Sequence, residues 1–118
     1  MFRHALPVLH VTDSHSAEEF YCGKLGFKLE SAHRHEGGEP AYLWVSRDDV
    51  HLHLSSYSGD AVVGGVVMVL VDDVDALFEE LSAKGVAFDP RPIDQTWGNR
   101  EMYAKDPDGN SIRFFKPL

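Results

Sequence analysis

Thr96-Trp97-Gly98-Asn99-Arg100-Glu101-Met102-Tyr103-Ala104-Lys105-Asp106-Pro107-Asp108-Gly109-Asn110-Ser111-Ile112-Arg113-Phe114-Phe115 decides how the rest of the chain reads. Its centre, Asp106–Asn110, is a turn with a mechanism. Pro107 pre-sets its own φ, Gly109 accepts a positive φ, and the Asp and Asn side chains can bond nearby backbone N–H groups. Alternating residues on both sides predict a β-hairpin over Asn99–Lys105 and Ser111–Phe115. Met102, Ala104, Ile112 and Phe114 then face a core. Glu101, Tyr103, Arg113 and Phe115 face the other way, into whatever the sheet encloses.

Upstream of the hairpin the chain reads as strand Gly65–Val71, then helix Val74–Lys84 after the carboxylates Asp72 and Asp73, then strand Val86–Arg91. Leu77, Phe78 and Leu81 make the inner stripe of the helix, and Gly85 closes it. The first half repeats this order. Leu6–Thr12 is a strand ending at Asp13. Ser16 starts a helix with Glu19 completing a capping box, and Ala17, Phe20, Tyr21 and Leu25 form its stripe up to Gly26. Strands Phe27–Glu36, Ala41–Ser46 and His51–Tyr57 follow, turned by Gly37–Pro40 and by Arg47-Asp48-Asp49. The offset is close to 59: Asp13 falls on Asp72, Gly26 on Gly85 and the Asp49 turn on Asp108. The reading is an α+β domain over residues 1–118. Module one covers 1–57, a linker 58–64, and module two 65–118. Each is a βαβββ unit whose helix covers one face of a curved mixed sheet. The uncovered faces line a shared cleft, within one chain or across a dimer.

Strand parity lists what enters that cleft. Leu43, Val45, Leu52 and Leu54 pack inward. Tyr42, Trp44, His51, His53, Ser55 and Tyr57 take the opposite parity, with Val8 and His10 beside them and Tyr103, Arg113 and Phe115 from the hairpin. Such an aromatic, histidine-bearing trough suits a flat or heteroaromatic ligand held by stacking, oriented by Arg or a carboxylate. It equally suits a subunit contact. His51 and His53 share a strand face and His10 lies opposite, so a facial metal set with Glu101 is conceivable. Seven histidines in 118 residues produce such spacings by chance, however.

Composition narrows the class. Charged residues make up 25% and hydrophobic ones 43%, which fits a packed domain and not a disordered chain. The apolar run Val66–Val71 is far below the ~20 residues that a bilayer span needs, and the start resembles no signal peptide. Cys22 is the single cysteine, a small helix hydrophobe that suits a reducing, cytoplasmic setting. The formal charge of −8 argues against a nucleic-acid partner and favours a cationic small molecule.

The residues also resemble a family. The two units, Pro7-Val8-Leu9 with Asp13, Phe20-Tyr21, Leu25-Gly26-Phe27, Arg47-Asp48-Asp49-Val50, Trp97-Gly98, Arg100-Glu101 and Asp106–Asn110 look like the vicinal oxygen chelate superfamily, which holds glyoxalases, extradiol dioxygenases and bleomycin resistance proteins. The Trp-Gly with Arg-Glu pattern is most similar to the bleomycin resistance branch. Enzymes of the superfamily carry metal ligands at three positions that here hold Leu6, Gly64-Gly65 and Arg113, so the resemblance implies neither metal nor other cofactor. In the resistance branch an aromatic five residues before the turn Arg, here Tyr42, and the Trp of Trp-Gly, here Trp97, sandwich a planar drug ring. The branch also implies a homodimer with arm exchange near Pro7 and drug grooves at the subunit interface.

The expected function is therefore non-catalytic sequestration of a bleomycin-like or other planar cationic antibiotic, conferring resistance. The ligand set expected is Tyr42, Trp44, His53, Ser55, Tyr57, Trp97, Glu101, Tyr103 and Arg113, with no catalytic and no metal-binding residue. The alternative is an enzyme of the superfamily (lyase, glutathione transferase or dioxygenase) with an unusual His-based site built on His10, His51 or His53 and Glu101.

Overall fold

A computed structural model describes residues 1–118. Strands β1 (Val8–His10), β2 (Lys28–Arg34), β3 (Ala41–Arg47) and β4 (Val50–Ser55) form one sheet in the order β1-β4-β3-β2. Strands β5 (Val66–Leu70), β6 (Ile93–Asp94), β7 (Asn99–Lys105) and β8 (Ser111–Pro117) form a second in the order β5-β8-β7-β6. In each sheet the first strand runs parallel to the last and the remaining neighbours are antiparallel. The two halves thus repeat one topology, the βαβββ unit expected from the order of elements.

Each unit has a helix after its first strand. In module one α1 (Ser14–Glu18) continues as a π-helical stretch over Glu19–Lys24, and in module two α2 spans Val74–Ala83. The start of α1 differs from the expected capping box at Ser16. Asp13 is the N-cap, extended at φ −135° and ψ 112°, and its carboxylate accepts from the His15 and Ser16 amides. A full charge caps exposed amides and answers the helix dipole better than a hydroxyl does. Asp73 does the same for α2 by accepting from Ala76 N. Asp73, and not Asp72, is therefore the counterpart of Asp13. Gly26 and Gly85 close the helices at φ of +80° and +87°, where a side chain would be strained.

Several strands are shorter than the alternation suggests. β1 covers only Val8–His10 of the expected Leu6–Thr12, β2 Lys28–Arg34 of the expected Phe27–Glu36, and β4 stops at Ser55. Val86–Arg91 is not a strand. That segment does meet β7, through Asp89 N to Tyr103 O and Tyr103 N to Pro90 O, but Pro90 and Pro92 lack N–H groups and interrupt the ladder. Regular pairing is confined to Ile93–Asp94 opposite Arg100 and Glu101.

The helix-covered faces of both sheets meet in one core of 19 buried residues. It contains Leu43, Val45, Leu52 and Leu54 from module one and Met102, Ala104, Ile112 and Phe114 from module two, as parity requires. The turn Asp106–Asn110 locks the seam. The fully buried Tyr21 donates to Asp106 Oδ2 at 2.8 Å, and burial followed by the Asp106 charge pushes its phenol well above the usual range. Asp106 Oδ1 accepts the amides of Asp108 and Asn110, both at 2.9 Å. Asn110, also fully buried, donates to the His10 carbonyl at 2.8 Å and accepts from Gly65 N at 2.8 Å, so it ties the ends of β1 and β5 together.

The pseudo-equivalent lock uses different chemistry. Shifted by 59, Tyr21 becomes Glu80 and Asp106 becomes Arg47. Arg47 reaches both Glu80 oxygens at 2.9 Å and donates to the Leu25 carbonyl at 2.8 Å. Each module's helix is therefore pinned to the other module's central turn.

Candidate functional site

With the helix faces consumed by the core, the expected ligand residues are to be sought on the two uncovered faces. On sheet one the register sets Trp44 opposite His53, Tyr42 opposite Ser55, and Val8 and His10 beside His53 and Ser55. The rings are linked edge-on. Trp44 Nε1 donates to His51 Nδ1 at 2.9 Å, and the Tyr42 hydroxyl is hydrogen-bonded to His53 Nδ1 at 2.8 Å. Trp44 also meets His53 at a centroid separation of 6.0 Å. Burial, then the charge of Asp60, raises the Tyr42 phenol pKa, so Tyr42 stays a neutral hydroxyl.

Sheet two places Glu101, Tyr103, Arg113 and Phe115 together on its uncovered face, with Tyr103 opposite Arg113 and Glu101 opposite Phe115. Trp97 is 61% exposed in the turn leading into β7. Glu101 is only 1% exposed, and both of its oxygens are occupied. Oε2 accepts from Trp97 Nε1 at 2.9 Å and Asn99 Nδ2 at 3.0 Å, and Oε1 accepts from the Tyr103 hydroxyl at 2.6 Å. Burial pushes this carboxyl up, but the donors from Tyr103, Trp97 and Asn99 and the Arg113 charge outweigh it and hold it below the usual range. The hydrogen bond to Glu101, then burial, raises the Tyr103 phenol. The Arg113 guanidinium lies 4.4 Å over the Tyr103 ring, a cation–π contact. Glu101 is thus a brace for two aromatic rings.

Other expected ligand residues stand differently. Ser55 is fully buried, and its hydroxyl donates to Asp60 at 2.8 Å and accepts from Tyr57 N at 3.1 Å. Tyr57 lies past the end of β4 and stacks on His33 at 6.5 Å. Both bond to Asp60, whose carbonyl accepts from His10 Nδ1 at 3.0 Å. Three residues escaped the sequence reading: Val66, Met68 and Leu70 of β5 are exposed on the face that carries Arg113 and Phe115. The apolar run Val66–Val71 hides their alternation, because both sides of that strand are hydrophobic.

The side-chain hydrogen bonds and ring contacts described on these faces stay within one half of the chain. Each half leaves large apolar residues exposed, Trp44 in the first and Val66, Met68, Leu70 and Trp97 in the second. A cleft of about 430 Å³ exists on the opposite, helix side of the seam, between Phe27, Arg47 and Val50 of module one and Val69, Leu77 and Glu80 of module two. None of the expected ligand residues lines it, and its aromatic residues are Phe27 and Phe114.

The superfamily's metal does not fit the residues present. Leu6 has no donor atom, Gly64 and Gly65 have no side chain, and Arg113 brings a positive charge. No group of three or more His, Cys, Asp or Glu side chains converges elsewhere.

Comparison with known proteins agrees with this architecture. A family model described as glyoxalase superfamily protein matches residues 1–117. A bleomycin resistance protein of Geobacillus stearothermophilus is 28% identical over 130 residues, covering 97% of this chain and 96% of the relative. An uncharacterised Bacillus subtilis protein is 31% identical over 121 residues, covering 93% and 94%. Among solved structures, TnmS3, an antibiotic binding protein from Streptomyces sp. CB03234, is 28% identical and superposes with a TM-score of 0.79, covering 100% of this chain and 98% of that one. The chain belongs to the glyoxalase superfamily. No helix is long and apolar enough to cross a membrane.

Proposed function

We propose that the chain is a non-catalytic binding protein that sequesters a planar, cationic antibiotic of the bleomycin kind and so confers resistance. The observation that carries this is the pair of uncovered faces. Each presents an exposed tryptophan whose indole N–H is satisfied internally, so its π-face is free to stack. A rigid aromatic contact of this type binds area at little entropic cost. The net charge of −8 favours a cationic guest, and the antibiotic-binding names of its relatives agree in kind.

The site is completed by a second copy. Sheet one of one subunit faces sheet two of its partner, which covers Val66, Met68 and Leu70 and brings Tyr42 and Trp44 on one wall of a groove opposite Trp97 on the other. Sedimentation tests the dimer, and a monomer at micromolar concentration overturns that part. Calorimetric titration with metal-free bleomycin tests the binding, with an expected Kd of about 1 μM or tighter. Trp97→Ala is expected to weaken it at least tenfold. Absence of binding, or an unchanged Kd in that variant, counts against the reading.

A further inference from the structure

Both tryptophans of this chain tie their indole N–H to an acceptor on their own sheet, but the acceptors differ in kind. Trp97 uses the Glu101 carboxylate at 2.9 Å. Trp44 uses Nδ1 of His51, also at 2.9 Å. An indole N–H can only donate, and an imidazole nitrogen accepts only while it carries no proton. The contact therefore assigns His51 as neutral, with its single proton on Nε2. A second proton has to enter at Nδ1, where it points at the indole N–H and abolishes the bond. The rings lie 5.7 Å apart with planes inclined by 44°, so this hydrogen bond, and not parallel stacking, orients the pair.

We propose that His51 is a positioning residue of the binding face: its unprotonated Nδ1 holds the Trp44 ring as a stacking platform, and acid releases that platform while the Trp97 platform stays braced. The deepened reading rests on the proposed binding of a planar guest, but the brace itself is a property of the free protein. Charged and titratable neighbours of His51 are few. Opposite it in β3 stands Ser46, with Trp44 on the diagonal, and neither is an ionisable group in this range. Beyond them on β2 lie Glu30, which accepts from Ser46 Oγ at 2.7 Å, and Lys28, 3.7 Å from Glu30. On its own strand His53 is engaged by Tyr42, and Asp48 and Asp49 stand in the turn just before β4. β1 pairs with β4 at Val8, Leu9 and His10, and His10, beside Ser55, is the ionisable group it brings, its Nδ1 engaged by the Asp60 carbonyl. Of the carboxylates in that set, Glu30 has its oxygens engaged by Ser46 and Lys28.

Two readouts on the free protein test the brace. Long-range proton–nitrogen NMR at about pH 8 is expected to show His51 Nδ1 unprotonated and Nε2 protonated, with the preference weakened in Trp44→Phe. A protonated Nδ1 overturns the proposal. Fluorescence of Trp97→Phe, which leaves Trp44 as the reporter, is expected to change between about pH 8 and about pH 5, the interval in which imidazoles protonate. The change should vanish when His51→Gln is added, because the amide oxygen accepts but does not titrate, and it should persist with His53→Gln. Trp44→Phe, reporting Trp97, is expected to stay flat over the same interval. A Trp44 signal that shifts equally with His51→Gln refutes the assignment.

Bleomycin titration then reads the consequence. Wild-type affinity is expected to fall about fivefold more than that of His51→Gln over this interval, the equivalent of about 1 kcal/mol for one hydrogen bond. Equal losses in the two proteins overturn the link to binding. If bleomycin fails to bind at either pH, the sequestration reading falls, while the NMR and fluorescence results still decide the brace.

Discussion

Tyr21→Phe removes one oxygen from the seam between the modules, and its cost can be worked from the geometry. The ring is fully buried and packs edge-on to Phe20 and Phe27 at 5.2 and 6.1 Å, so phenylalanine keeps the apolar contacts. What disappears is a 2.8 Å hydrogen bond to the Asp106 carboxylate. Bonds to charged acceptors contribute about 1.5–3 kcal/mol. Asp106 is not orphaned, since the amides of Asp108 and Asn110 and the Asn110 side chain still donate to it, which favours the lower half of that range. The expected loss is about 2 kcal/mol, seen as a fall of roughly 8 °C in Tm for a chain of this size. The assay is urea unfolding by circular dichroism for Tyr21→Phe, Asp106→Asn and the pair. Their coupling should exceed about 0.5 kcal/mol, because the two groups touch. A single-variant loss below about 0.5 kcal/mol, or strict additivity, refutes the view that this contact locks the modules. The pseudo-equivalent Arg47–Glu80 pair provides the contrast. Its side chains are 30% and 42% exposed, so solvent screens them and Glu80→Gln should cost only about 0.5–1 kcal/mol despite the bidentate geometry.

The remaining expectations are narrower. Asp13→Ala should destabilise by about 1 kcal/mol in thermal unfolding, whereas Ser16→Ala should cost distinctly less; the reverse order would restore the capping box at Ser16. Glu101→Gln leaves one oxygen to serve the donors of Trp97, Asn99 and Tyr103, so Trp97 emission should shift and stability should drop by about 1–2 kcal/mol. An unchanged spectrum would free Trp97 from Glu101. On the acid side, Glu101 has a folded-state pKa below its unfolded value. Its contribution is full above about pH 4.3 and is lost as pH falls through the lowered value, so wild type should lose more stability than Glu101→Gln between about pH 5 and about pH 2. Parallel pH profiles would contradict the shift.

Much of this molecule is local and hence legible in the order of residues. The turn Asp106–Asn110, the glycines Gly26 and Gly85 and the repeated succession of elements specify two βαβββ units, because turn chemistry and the two-residue period of strands act within a few positions. Strand parity likewise separates Tyr42, Trp44, Tyr103 and Arg113 from the core. Partnership across the chain is another matter. Nothing in the spacing announces that Tyr21 meets Asp106, that Arg47 meets Glu80, or that Ser55 is spent on Asp60 under a loop. Glu101 reads as a free carboxylate for a guest, yet three donors from neighbouring positions consume it. The apolar residues Val66, Met68 and Leu70 look like core from their composition, and only pairing with β8 turns them outward. Such contacts depend on how two sheets are set against one another, a long-range arrangement that local propensity does not encode.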